Sequence, residues 1–135
     1  MSCAQAKEAL VTAVLSALGS TPVARENADF TKPTNAKWAA LYFMPNRPSV
    51  ETLSDIGEDM ADGIMQVDFH YPQGTGDVAA DTDAETFRAA FKAGHKFTKS
   101  GQGVVIQSCG RSQARLEDNW FIVSVTIGWY ALIPR

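Results

Sequence analysis

Three groups of residues in this 135-residue chain have the types and spacing that chemistry asks for. Asp55, Glu58, Asp59 and Asp62 fall within eight positions, and hard divalent cations are held by several carboxylate oxygens at once. The order of these four is not the D-x-D-x-D-G-x5-E of an EF-hand, and a solvated acidic stretch is the reading that accounts for them better. If the stretch were helical, their intervals would set them on one face. Cys109, His70 and His95 supply a nucleophile and two bases, yet no local signature links them into a nucleophile, base and orienting group. Each also has a plain structural reading: Cys109 as a small buried hydrophobe, and the two histidines as surface residues beside a turn and a helix end.

The third group is Gly63 to Gly76, GIMQVDFHYPQGTG, a strand entering a glycine-bearing turn and then a helix. Phosphate loops have that layout, with backbone N–H groups aimed at the anion and a Lys or Ser/Thr just inside the helix. Here the turn is followed by Asp77, Asp81, Asp83 and Glu85, which already complement the helix dipole and would repel phosphate. The segment matches neither GxxxxGK[ST] nor GxGxxG, so Pro72 to Gly76 reads as connection chemistry.

Composition narrows the classes further. The chain is 45% hydrophobic and 20% charged, ordinary for a globular protein, and its length suits a single domain, 1–135, with a core of its own. A net charge of -3 gives no electrostatic footprint for nucleic acid or an anionic membrane. Two cysteines without a CxxC pair fit a reducing cytoplasm, and no cofactor or metal signature stands out. No apolar run reaches the roughly 18–20 residues of a membrane span. The apolar stretch Ala9 to Leu18 lacks the basic leader of a secretory signal, because Lys7 is offset by Glu8.

The elements that would position these residues follow from periodicity. Cys3, Ala6, Leu10, Val14 and Leu18 recur at helical spacing, with Gly19 as C-terminal cap and Pro22 as a stop. Ser20 to Lys37 is loop by composition. Trp38 to Met44 reads as a strand covered on both faces, and Ile64 to Tyr71 as a strand with Met65, Val67, Phe69 and Tyr71 inward and Gln66, Asp68 and His70 on a wet face. Between them, Ser49 to Asp62 is a short strand or a helical turn. Asp77 to Ala93 carries the stripe Ala80, Ala84, Phe87 and Phe91, closed by Gly94. Val104 to Cys109 is a strand, and Gly110 to Asn119 a polar excursion. Trp120 to Ile133 is a strand of about fourteen residues, whose apolar odd positions and length predict either a bulge or bend at Gly128 or an end that reaches past its own sheet toward another subunit. Trp38, Tyr42, Trp120, Trp129 and Tyr130 offer rings for stacking, though their strand positions point to core or subunit contact. The expected fold is α+β, with one mixed, mainly antiparallel sheet of about four to five strands and two flanking helices, in the order α-β-(β)-β-α-β-β.

These residues together give a resemblance. The amphipathic helix ending at Gly19, the strand opening with Gly63, Gln66 and Val67, the turn with Pro72, Gly74 and Gly76, the Ala/Phe helix through Phe91 and the closing Trp120 to Tyr130 strand with Trp129 resemble the tail terminator, or tail-completion, proteins of long-tailed bacteriophages. Asn46 to Asp62 has no counterpart in that pattern. The resemblance implies a non-enzymatic virion protein, assembled in the host cytoplasm, that forms a homo-oligomeric ring, a hexamer, on a finished tail tube. It would stop tube growth and present a surface to head-completion proteins, with DNA only as passing cargo and no membrane. Arg47, Asp55, Glu58, Asp59, Arg111, Arg115, Trp129 and Tyr130 are the expected oligomer or tube interface, the arginines facing carboxylates across it. Two other roles remain open: a head-tail connector or tube protein, and a small cytoplasmic enzyme using Cys109 or His70.

Overall fold

A computed structural model describes residues 2–135. The helix α1 (Cys3–Leu18) starts at Ser2, whose hydroxyl accepts from the Gln5 N–H at 3.2 Å, and stops at Gly19, where φ of 61° suits glycine. Ala6, Leu10, Val14 and Leu18 are buried, as their spacing predicts. After α1 come β1 (Val23–Arg25), β2 (Trp38–Pro45), β3 (Ser49–Val50) and β4 (Glu58–Pro72). A turn then leads to α2 (Val78–Ala90), followed by β5 (Lys96–Lys99), β6 (Gln102–Arg111), β7 (Arg115–Glu117) and β8 (Trp120–Pro134).

All eight strands join one sheet in the order β1-β2-β4-β8-β6-β5, with β3 on β4 and β7 on β8. Only β1 runs parallel to its neighbour, so the sheet is mixed and mainly antiparallel. The α+β class and both helices agree with the sequence, but the sheet is larger than four to five strands. The additional strands β1, β3, β5 and β7 have two to four residues each. A two-residue alternation needs more positions than that to show itself, so they are made legible by pairing rather than by pattern.

The centre of the sheet is the β4–β8 pair, each 15 residues long and in continuous register from Glu58↔Pro134 to Pro72↔Trp120. At about 3.3 Å per residue each strand reaches roughly 50 Å. The closing strand therefore does not overhang its own sheet: β4 begins six residues earlier than the alternation from Ile64 suggests and matches it along its length. Gly128 does mark a bulge. The irregularity lies in the facing strand, where Ile106 opposes Trp129 and Ser108 opposes Gly128, leaving Gln107 as the extra residue of a bulge. Gly128 makes room for it, since a Cβ there would lie 2.6 Å from the Ser108 hydroxyl oxygen.

Both helices cover the face formed by Ala39 and Leu41 of β2, the odd positions from Ala61 to Tyr71 of β4 and those from Val123 to Ala131 of β8. Met65, Val67, Val125 and Ile127 are fully buried there, each contributing about 1.5–3 kcal/mol of transfer free energy. Phe69, Phe87, Phe91 and Phe97 form an aromatic chain between sheet and α2.

Candidate assembly surface

Among the described residues no helix covers the opposite face of the sheet, and its two halves differ. Near β7 it is closed by the chain's own residues. Asp68, expected on a wet face, is buried: its Oδ1 accepts from the Ser124 hydroxyl at 2.6 Å and from Gln66 Nε2 at 2.8 Å, and Arg115 stands 3.6 Å from Oδ2. Arg115 also donates to Ser124 Oγ at 2.9 Å. The polar excursion supplies this lid. β7 folds onto β8 through the two-residue turn Asp118–Asn119, both residues at positive φ as a tight hairpin requires.

His70 is likewise buried rather than on the surface, with its imidazole stacked on the Trp38 indole and edge-on to Trp120. Burial pushes its pKa down, against the opposing pull of Asp68, whose backbone carbonyl lies 2.9 Å from Nδ1. Cys109 lies on the helix-covered face opposite Ile127, half-buried, with burial pushing its thiol pKa up. A catalytic thiol needs the reverse shift. His95 packs by Phe97 just before β5. The three residues are thus divided between two faces of the sheet and a connection, and the geometry forms no nucleophile and base pair from them.

The other half of this face is open. Beyond Gly63, which lies so close to β2 that a Cβ would be 2.4 Å from the Met44 carbonyl oxygen, β2 leaves the sheet and Asn46 turns back to donate to the Asp62 carbonyl at 2.8 Å. The chain rejoins β4 as β3, and the loop Glu51–Gly57 completes a hairpin. Val50, Leu53 and Ile56 are 63%, 96% and 84% exposed at this tip, and Tyr42, Met44, Ile64 and Leu132 are exposed on the sheet below it. Isolated exposed aliphatic residues are ordinary, but here they are gathered at one end of the sheet.

Arg135 fixes the tip. Its guanidinium donates to the Ser54 carbonyl (3.0 Å from Nε), to the Glu58 carbonyl (2.9 Å from Nη1), to the Thr52 carbonyl and to the Asp59 carboxylate, while its N–H reaches the Gly57 carbonyl at 2.8 Å. Within one chain the four carboxylates Asp55, Glu58, Asp59 and Asp62 do not converge. Glu58, Asp59 and Asp62 lie on extended backbone, where neighbours alternate faces, Asp55 sits in the loop, and Asp59 already has Arg135. Among the described residues no group of three or more His, Cys, Asp or Glu side chains could hold a metal ion.

The expected interface residues scatter accordingly. Arg47 and Asp55 are exposed, and Glu58, Asp59 and Tyr130 half-buried, all toward the open end. Arg111 is paired with Asp81 of α2 at 2.5 Å and Arg115 with Asp68, so both have carboxylates within the subunit. Trp129 is fully buried, its ring stacked on Phe43 at 5.1 Å, which places it in the core. The residues that sequence reasoning missed are the tip aliphatics and Arg135. Their signal was the three-residue spacing of Val50, Leu53 and Ile56 in an otherwise polar segment.

Comparison with known proteins adds lineage to this geometry. A family model described as phage tail terminator protein matches residues 5–129. One solved structure, known only by a sequence identifier, is 23% identical with a TM-score of 0.71, the match covering 95% of this chain and 91% of that one. Another, from the virion of a native gene transfer agent particle, is 14% identical with a TM-score of 0.54 over 99% of this chain and 100% of that one. At those identities the two structures show a shared fold. No curated protein sequence matches.

Proposed function

The chain belongs to the phage tail terminator family, a family of structural tail proteins and not of enzymes, and from that premise we propose that its copies close into a ring on the end of a completed tail tube. The whole chain, 1–135, acts as one unit in that ring, which is a hexamer assembled in the host cytoplasm. The ring ends the polymerisation of tube subunits and offers its other side to head-completion proteins.

The observation that carries this reading is the open half of the helix-free face, ending in the Val50, Leu53 and Ile56 tip. A small protein with an adequate core gains nothing from such a surface in isolation, whereas a subunit must keep one available for its neighbours. The resemblance to a chain of a gene transfer agent virion supports the same setting. DNA passes through the ring as cargo. The net charge of -3 suits a lumen that must not retain the phosphate backbone.

The test is to polymerise the cognate tube protein with and without this chain and follow it by negative-stain microscopy. Capped tubes of limited length, with closed rings of the chain alone, are expected. Open tubes formed by this chain would favour a tube role instead. A stable monomer at high concentration with no affinity for tube ends would overturn the proposal.

A further inference from the structure

We infer that the subunit contact is head-to-tail, with the Val50, Leu53 and Ile56 tip of one copy seated in the groove between α1 and β5 of the next. This rests on the ring reading and names its partner surfaces. The groove is about 520 Å³, within the 300–1,000 Å³ of typical binding pockets. Small α1 residues, Ala9, Thr12, Ala13 and Ser16, form one wall, and Phe91 and Phe97 form the apolar floor. Branched aliphatic side chains fit a cleft of that kind, and the tip provides three of them.

Charge complementarity selects a second copy as the occupant. The tip carries Glu51 and Asp55, both exposed, with Glu58 at its base. The groove's rim carries His95 and Lys99, and exposed Lys92 precedes them on the same connection. Lys99 has one partner in its own subunit, the exposed Glu8 at 3.6 Å, a pair weak enough to exchange. Because Arg135 already restrains the tip loop, docking orders little additional chain. The tip cannot reach the groove of its own subunit while so held: β8 and β6 lie between β4 and β5. Two different patches that complement each other make a heterologous contact, which closes into a ring when the rotation per subunit permits.

The contact predicts a result that no isologous contact would give. Leu53→Asp with Ile56→Asp removes the tip and leaves the groove, and Thr12→Glu with Ser16→Glu blocks the groove and leaves the tip. All four positions are exposed, so both variants should melt like the wild type at concentrations too low for assembly; if the groove variant does not, Ala17→Arg, also exposed in the groove, replaces it. Each alone should self-associate roughly 100-fold more weakly than wild type. Mixed in equal amounts, they keep one working tip and one working groove and should stop at a one-to-one dimer, read by analytical ultracentrifugation. A tip variant that still forms wild-type rings overturns the contact and leaves the ring reading standing. So does one that forms rings but no longer caps tubes, which would assign the tip to the tube protein. Wild type that never forms rings, alone or on tubes, overturns both.

Discussion

The Trp38 indole lies flat on the His70 imidazole, centroids 3.7 Å apart and planes 12° from parallel, across the β2–β4 pair in which the two residues are direct partners. Burial lowers the pKa of His70 below its ordinary 6.5. The unfolded chain therefore binds a proton at a pH where the folded chain does not. Stability from this site is present above pH 6.5 and falls as the pH drops from there toward the folded pKa. Urea midpoints measured from pH 7.5 to 5 should decline, and His70→Phe, which keeps a stacked ring, should flatten that part of the profile.

Asp68 is the acceptor on which the buried network converges. Removing it in Asp68→Ala leaves the Ser124 hydroxyl without its acceptor and the half-buried Arg115 with only the exposed Glu117 carboxylate, 3.5 Å from its Nε, and loss of a buried hydrogen-bonding partner costs about 1–3 kcal/mol. Ser124→Ala should cost less, and the double variant should cost less than the sum because the two share a hydrogen bond. Equilibrium denaturation of the three proteins checks this.

Gly63 faces Pro45 across the β2–β4 pair with no room for a side chain. A methyl group there meets the Met44 carbonyl at 2.4 Å and backbone cannot give way cheaply, so Gly63→Ala should destabilise by about 1–3 kcal/mol. Gly110→Ala has open space and should be close to neutral. Thermal melting of the pair separates a steric cost from a general intolerance of alanine.

Arg135→Ala should act locally. Its bonds run to one exposed loop, and surface ion pairs contribute about 0–1 kcal/mol, so global stability should hardly move. Hydrogen exchange at Glu51 to Gly57 should become faster while β4 and β8 below it keep their protection.

Since the acidic residues of the open end are split between loop and alternating strand faces, chelation of divalent cations should leave both melting temperature and assembly unchanged. A drop in ring population with EDTA, restored by magnesium, would show that carboxylates from adjacent subunits combine into a site.

Much of the fold was legible in the chain because its signals are local. The spacing of Ala6, Leu10, Val14 and Leu18 requires a helix with one buried side, and Gly19 and Pro22 end it. The alternation of Met65, Val67, Phe69 and Tyr71 fixes which residues of β4 face the core, and the odd positions of β8 do the same. Family membership was legible for a similar reason: the glycine-bearing turn from Pro72 to Gly76 and the long closing strand are contiguous stretches whose order survives translation into text. The same locality shows that Pro72 to Gly76 is a connection, since the carboxylates that follow it are visible without coordinates.

The tertiary structure decided what depends on partners distant in sequence. Nothing near His70 says that Trp38 will cover it, and nothing near Asp68 says that Ser124 and Arg115 will converge on it, so a face that alternates like a wet one is closed. Trp129 and Leu53 are both large and apolar, but the first is buried in the core, stacked on Phe43, and the second stands in solvent on a loop tied down by Arg135 and by its own backbone bonds. Sequence determines which side chains share a face, because that follows from backbone period. Whether that face is covered depends on which other segment arrives there, and burial is a property of the pair.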